Sequence, residues 1–322
     1  MAEIKTSNTN GSTTIASLNE LTTPRRSLMK DAWFRLIRNK GAVVAMFIIA
    51  IFFLGTLFAN KIVPHNPLEM NSGKDFLPPA WVERGPTGEA GQKAFLFGTD
   101  TLGRDVLSRT FYGSSISLSI GFVGVLLSFF IGVTLGGLSG YFGGIIDEVI
   151  QRIIDFLLSI PALPFWMALA AALPRDWSVT KTYFAITVIL SVIGWSGLAR
   201  VVRGKLLALR EEDYSLAAQA AGASQPRIIF RHLLPGFTSH LIVSLTLAIP
   251  GSILGETTLS FLGLGMQPPA VSWGVLLQDA QDMVVVAQQP WRLIPGLFVV
   301  VAVLLFNFVG DGLRDAADPY TT

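Results

Sequence analysis

The chain has 322 residues, of which 51% are hydrophobic and only 14% are charged. A soluble domain usually carries charge at about a quarter of its positions, because charged side chains cover its surface. The composition therefore argues against a soluble enzyme, and the apolar fraction excludes disorder over most of the chain. The absence of cysteine excludes disulfides, cysteine-ligated zinc and thiol catalysis. The net charge of +2 gives no reason to expect a nucleic-acid partner.

Residues 1–41 precede the first long apolar run, and we expect them to form a cytoplasmic N-terminal tail. Residues 1–24 are rich in Ser, Thr and Asn and are predicted to be disordered. A basic collar follows, formed by Arg25, Arg26, Lys30, Arg35, Arg38 and Lys40. Basic residues beside a membrane span favour contact with anionic lipid headgroups, which we prefer over a specific binding site.

Uncharged stretches long enough to cross a membrane recur along the chain. The clearest is Gly41–Asn60, because about 20 helical residues span the hydrocarbon core, and we place the first transmembrane helix at 42–60. The other candidates lie between Arg109 and Asp147 and at 156–174, 182–199, 233–255 and 293–310. The alternative for the third is a start further upstream that includes Arg152 and Asp155. In lipid, backbone polar groups need hydrogen-bond partners within the protein, which favours helices. The apolar runs lack the alternation of apolar and polar residues that is typical of β-barrel strands. The sequence therefore predicts an all-α membrane protein with six transmembrane helices.

The distribution of Lys and Arg favours cytoplasmic N- and C-termini. This orientation makes 61–113 an extracytoplasmic loop, 114–311 the transmembrane core and 312–322 a cytoplasmic C-terminal tail. Within 99–111, Asp100 precedes Arg104 and Asp105 precedes Arg109, each by four residues. That spacing favours helical ion pairs, so we predict an interfacial helix that leads into the second span.

Enzyme signatures are missing from the sequence. The Gly-Lys pairs at 73–74 and 204–205 are not followed by Ser or Thr, as a P-loop requires. The histidines are too scattered for a zinc helix, and there is no Gly-x-Ser-x-Gly elbow. We therefore expect no cofactor, no metal site and no catalysis by this chain.

The segment 213–235 is the most informative loop. An Ala-rich helix is predicted to end at Gly222, where glycine suits a left-handed cap. Ser224 would cap a second helix, with Pro226 in its first turn. Two short helices with small side chains at their junction would let another protein approach closely. An ordinary surface loop between two spans remains the alternative.

This segment resembles the EAA motif of permease subunits of binding-protein-dependent ABC importers. The family pattern is Glu-Ala-Ala, three residues, Gly, nine residues, Ile-x-Leu-Pro, and Leu216 and His232 depart from it. The resemblance implies a coupling helix that sits in a groove of an ATP-binding subunit. The residues it implies for this contact are Ala217, Ala218, Gly222, Ala223, Arg227, Arg231, Leu234 and Pro235.

Other segments resemble the peptide- and nickel-type permeases of that family. Residues 97–109, 260–274 and 310–319 are similar to the FGTDxxGRDxxSR, SFLGLGxxPPxxSWG and GDGLRDxxDP patterns, while Ser115 and Tyr320 stand where basic residues are usual. One N-terminal span with a long outer loop resembles the C-type permease. The resemblance implies the type I importer transmembrane fold in a bacterial or archaeal inner membrane. It also implies a different permease, two ATP-binding subunits and a solute-binding protein as partners.

The implied cargo is a di- or oligopeptide, and similar permeases carry nickel, opines or oligosaccharides. The alternative of another class is a secondary transporter or channel that works without ATPase partners.

Four further patterns concern the membrane core. Small residues every four positions favour close helix packing, and the candidates are Gly132, Gly136, Gly140 and Gly144. Glu148, Arg152 and Asp155 share one helical face, so we expect them to pair with each other, with a gate or hinge role as the alternative. Pro161 and Pro164 are predicted to kink the third span. Glu256 either marks the translocation path or bonds to backbone at a break opened by Gly251 and Gly255.

Overall fold

The computed structural model describes residues 28–317 apart from residues 59, 60, 62, 86 and 87. This part of the chain is helical, with one isolated β-bridge between Thr99 and Asp105. The all-helical prediction is confirmed for these residues. The predictions for residues 1–27 and 318–322 lie outside the described residues.

The chain begins with two helices that meet at Asn39. Helix α1 (Leu28–Arg38) occupies part of the expected tail, and α2 (Lys40–Leu57) is the first apolar helix. The Asn39 side chain accepts a hydrogen bond from the amide of Ala42 at 3.2 Å, so α2 begins with a capped turn. Helix α2 therefore starts before, and ends before, the expected boundaries of 42 and 60.

Helix α3 (Val106–Phe142) does not extend back into residues 99–105, which form turns and the β-bridge. The Asp105 carboxylate accepts the amide of Ser108 at 2.9 Å and caps the first turn of α3. The predicted interfacial helix over 99–111 is therefore wrong for its first half. Val106, the first residue of α3, is buried.

The third span is broken into α4 (Gly144–Ser159) and α5 (Ala162–Ala171), which are bent by 88° to each other. A single helix over 156–174 is therefore wrong, whereas the alternative start upstream, which includes Arg152 and Asp155, agrees with the bounds of α4. The break follows from Pro161, because the residue before a proline is disfavoured in helical geometry, and Ile160 is extended. The kink expected at Pro161 is present, whereas Pro164 lies in the first turn of α5, where no donor is missed.

The remaining elements complete the bundle. Helix α6 (Val179–Arg210) leads to α7 (Asp213–Ala220), and a short helical stretch (Gln225–Arg227), a π-helix (Ile228–Leu233) and a 3₁₀ turn (Leu234–Phe237) continue into α8 (Thr238–Phe261). Then follow α9 (Trp273–Gln278), α10 (Met283–Gln288), a 3₁₀ turn (Pro290–Leu293) and α11 (Ile294–Ala317). Helix α11 runs past residue 312, where the C-terminal tail was expected to begin.

Within the described residues, five helices are long and apolar enough to cross a membrane, and the number is six if the bent pair is counted as one span. The prediction of six spans agrees with this arrangement. Helix α3 packs along α6 and α8, while α11 packs on α8 and α2. The helices leave two distinct ends. We call residues 63–105, 172–178 and 262–293 the loop end, and the opposite end, which carries residues 211–237, the knob end.

Candidate functional site

The contact between α3 and α6 is lined by glycines. A Cβ atom on Gly132 would lie 2.9 Å from the carbonyl oxygen of Trp195, and one on Gly140 would lie 2.7 Å from that of Arg203. At Gly136 a Cβ would lie 2.8 Å from the Cα of Ala199. The backbones of the two helices therefore touch at all three positions. Gly144 does not take part, because α3 ends at Phe142 and Gly144 has φ +55 with nothing within 4 Å of a Cβ.

Two acids of α4, Asp147 and Asp155, pair with arginines of α6. Among the described residues, Glu148, Arg152 and Asp155 form no ion pair with each other, so the pairing expected among them is wrong. Asp155 accepts a hydrogen bond from Arg200 at 2.6 Å, and both side chains are exposed. Glu148 and Arg152 are also exposed on the isolated chain. Helix α4 lies against α6, so its acids meet arginines that are distant in sequence.

The strongest link between α4 and α6, the pair of Asp147 and Arg203, was not predicted. The Asp147 carboxylate receives two hydrogen bonds from the guanidinium of Arg203, and the Nε–Oδ1 distance is 2.5 Å. Ser139 also donates to Asp147, and Gln151 donates to Ser139. Bidentate Arg–carboxylate pairs fix orientation as well as distance, so α4 is locked to α6 at its first turn. No local sequence pattern connects residues this far apart.

The knob, defined as residues 211–237, turns at Gly222. This residue has φ +76, the amide of Ala223 donates to the carbonyl of Ala218 at 3.1 Å, and the amide of Gly222 donates to Gln219 at 2.9 Å. The two bonds form a Schellman cap, so the predicted left-handed glycine cap is confirmed. Ser224 is extended and precedes the second helical stretch, but its side chain makes no capping bond.

The predicted coupling residues fall into two sets. Ala218, Ala223 and Leu234 are half-buried and pack on a core cluster that includes Leu206 and Leu233. The others are exposed: Ala217, Gly222, Arg227, Arg231 and Pro235. The knob is therefore held to α6 by its apolar side and presents small and basic residues outward.

The last residue of α6, directly before the knob, is linked to the end of α3, because Arg210 donates to the carbonyl of Tyr141 at 3.1 Å. Desolvation and the nearby charge of Glu212 both raise the pKa of the Tyr214 phenol above its ordinary value. Tyr214 is therefore uncharged at neutral pH.

A cluster of charged side chains ties the loop end together. Asp100 accepts hydrogen bonds from Arg104 at 2.7 Å and from Arg109 at 2.5 Å. Asp279 lies 3.6 Å from each of these arginines, and Arg292 donates to its backbone carbonyl. Arg109 is only 2% exposed, so its charge depends on these partners. The Asp100–Arg104 pair was predicted on a helix and forms across a turn, whereas Asp105 caps α3 and does not pair with Arg109.

Glu256 is fully buried within the chain. Its carboxylate accepts hydrogen bonds from Ser117 at 2.9 Å and from Ser260 at 2.8 Å. Helix α8 runs without interruption through Gly251 and Gly255, so the predicted break is absent. The carboxylate is satisfied by hydroxyl groups and not by freed backbone.

The loop end also contains a cavity of about 440 Å³. It lies between the end of α5, the turn at 172–178, the start of α6 and residues 263–269. Arg175, Trp177 and Gln267 are among the lining residues. Among the described residues, no group of three or more His, Asp or Glu side chains could hold a metal ion.

Fold and geometry together define a multi-pass helical membrane protein with an ion-paired loop region at one end and a packed knob at the other. Residues 132–322 match the family described as "Binding-protein-dependent transport system inner membrane component". Residues 27–79 match the "N-terminal TM domain of oligopeptide transport permease C". The chain belongs to the family of binding-protein-dependent transport system inner membrane components.

Curated relatives cover most of the chain. It is 39% identical to the dipeptide transport system permease protein DppC of Bacillus subtilis over 300 residues, which cover 92% of this chain and 87% of the relative. It is 38% identical to the oligopeptide transport system permease protein OppC of the same organism over 294 residues, covering 91% and 90%. A solved structure of the MetNI methionine ABC transporter in inward-facing conformations matches 66% of this chain and 96% of that chain, with 22% identity and a TM-score of 0.49.

Proposed function

We propose that this chain is the transmembrane permease subunit of an ATP-driven ABC importer that takes up di- or oligopeptides. The observation that carries the proposal is the match over nine-tenths of the chain to permeases of dipeptide and oligopeptide transport. The binding-protein-dependent family supports delivery of the solute by a separate binding protein.

The proposed assembly contains a second, different permease subunit, two ATP-binding cassette subunits and an extracytoplasmic solute-binding protein, in contact with membrane lipid. The chain itself is not an enzyme in this proposal, because it has no P-loop and ATP would be hydrolysed by the cassette subunits. The protein would lie in the cytoplasmic membrane, with both termini and the knob end in the cytoplasm. The loop end would then face the binding protein.

The knob provides a route by which ATP-driven motion could reach the helices. Its inner side packs on α6, and residues 225–237 continue without a loop into α8. A push on the exposed residues around Gly222 would therefore move the ends of α6 and α8 together. Alternating access would follow if this motion rocks the bundle against the second permease.

The exposed charges of α4 are the proposed residues at the translocation path or its gate. Glu148, Arg152 and Asp155 all lie on a surface that the isolated chain leaves open. A second permease that covered this surface would bring them to the subunit boundary. Glu256 has a different place, because it is buried inside this chain.

Reconstitution tests the proposal directly. The chain is co-expressed with its neighbouring permease and cassette genes, purified as a complex and placed in liposomes with the binding protein. Uptake of labelled dipeptide should require ATP and the binding protein, and the chain alone should hydrolyse no ATP. Ni²⁺, an opine and an oligosaccharide serve as competing cargoes. Uptake by the chain alone, driven by an ion gradient, would overturn the proposal in favour of a secondary transporter.

A further inference from the structure

The segment from Leu262 to Ser272 connects α8 to α9 and forms one wall of the loop-end cavity through residues 263–269. Serine side chains hold it at two places. The amide of Met266 donates to the hydroxyl oxygen of Ser260 at 3.0 Å. The amide of Trp273 donates to the hydroxyl oxygen of Ser117 at 3.1 Å. The wall is therefore attached to α8 at one point and to α3 at the other.

Both serine hydroxyls converge on one carboxylate. Ser260 donates its proton to Glu256 at 2.8 Å and Ser117 donates at 2.9 Å. A hydroxyl has one donor and two acceptor sites, so a proton committed to the carboxylate leaves the oxygen lone pairs for the amide. Glu256 thus fixes the rotation of both hydroxyls and, through them, the amide of Met266 within the wall and the amide of Trp273 directly after it.

The wall and the start of α9 pack tightly against α8. A Cβ on Gly265 would lie 2.6 Å from the Ser260 Oγ, and one on Gly274 would lie 2.6 Å from the carbonyl oxygen of Thr257. Trp273 is fully buried and donates from its indole nitrogen to the carbonyl of Thr110 at 3.0 Å. The wall and the carboxylate are therefore parts of one tightly packed unit.

A buried carboxylate is expensive, and an apolar residue of similar size would usually stabilise a membrane helix better. The presence of Glu256 is explained if its carboxylate orders polar groups whose positions are needed for function. We propose that Glu256 is a positioning residue that holds the segment 262–272 as the wall of the loop-end cavity, and that this cavity receives the peptide from the solute-binding protein. The inference rests on the proposed function, since it assumes that the loop end faces the binding protein.

The first test measures uptake by the reconstituted complex as a function of the concentration of dipeptide-loaded binding protein. Glu256→Ala removes the acceptor of both serine hydroxyls, so it should raise KM about tenfold and change KM more than Vmax per complex. Glu256→Gln keeps one acceptor and should lie between the wild type and Glu256→Ala. The matched control is Glu69→Ala, because Glu69 is an exposed glutamate at the same end.

The second test follows the wall itself. The chain has no cysteine, so a nitroxide can be attached to Gln267→Cys alone, or to Met283→Cys as an exposed control at the same end. Glu256→Ala should increase the mobility of the label at 267 and leave the label at 283 unchanged.

A reduced yield of complex with unchanged KM and unchanged mobility at 267 would overturn the proposal and leave Glu256 as a structural residue. Absence of binding-protein-dependent uptake in the wild-type complex would instead refute the proposed function, so the two failures are distinguishable.

Discussion

The contact between α3 and α6 leaves no space for a side chain at Gly136. An alanine Cβ there would lie 2.8 Å from the Cα of Ala199 and 2.9 Å from the Cβ of Val202. Carbon atoms in favourable contact are about 3.5–4.0 Å apart, so the helices would have to separate by up to about 1 Å. Overpacking of this kind costs about 1–3 kcal/mol.

Gly137 provides a matched control on the same helix. It is also buried, but an alanine Cβ there would meet its nearest neighbour, Leu206 Cδ1, at an ordinary 3.8 Å. Both substitutions gain the same helix propensity, about 1 kcal/mol, so the difference between them isolates the steric cost. Gly136→Ala should therefore be about 1–3 kcal/mol less stable than Gly137→Ala.

The assay is SDS-induced unfolding of the purified chain in mixed micelles, followed by far-UV circular dichroism. Gly136→Ala should unfold at a lower SDS fraction than Gly137→Ala. Equal midpoints for the two variants would refute the reasoning, because they would show that the helices can separate at no cost.

Three further predictions concern the ion pairs and the knob. Arg109→Leu leaves Asp100 without its most buried partner and should cost about 3–5 kcal/mol in the same unfolding assay; a midpoint close to that of the wild type would contradict the buried pair. Asp147→Arg should separate α4 from α6 and reduce uptake, and adding Arg203→Asp should restore it, whereas a double variant no better than the single one would argue against the pair. Gly222→Ala meets no clash but strains a residue at φ +76 by about 1–2 kcal/mol. The amount of peptide taken up per ATP hydrolysed should therefore fall, and it should fall less in Gly222→Asn. Equal ratios of peptide uptake to ATP hydrolysis for the glycine, asparagine and alanine forms would mean that the helix cap at residue 222 does not matter for coupling.

Hydrophobic runs located the membrane helices apart from the broken third span, but they did not locate the ends of the helices. A search for uncharged stretches stops at the first charge, and it therefore stopped at Ala199 in the fourth span. Helix α6 continues through Arg200 and Arg203 to Arg210, because these side chains find partners on α4 and at the end of α3. The boundary of a helix is set by its cap and its neighbours, and the second of these is invisible in a single sequence.

The spacing of residue types along the sequence predicted the structure correctly where the local backbone conformation determines it. Gly222 caps its helix as expected because the left-handed conformation suits glycine whatever surrounds it. The same kind of reasoning failed at 99–105, where Gly103 at φ +68 turns the chain and Asp100 bonds across the turn. The i, i+4 pattern of charges was real, but a tight turn brought the first acid to both arginines.

Long-range partners could not be predicted at all. Ser117 and Glu256 are 139 residues apart, and Arg203 and Asp147 are 56 apart. Each residue type was plausible as a polar group in a membrane helix, but only the packing of α3, α6 and α8 decides which groups meet.

The charged cluster at the loop end has a consequence for how the protein matures. Asp100, Arg109, Asp279 and Arg292 join segments that are far apart in sequence, in a chain without a sulfur–sulfur bond. Ion pairs form spontaneously and can re-form after they are broken, whereas disulfides need an oxidant and an exchange catalyst. The closure of this end therefore requires no oxidant and does not depend on the redox state of its surroundings.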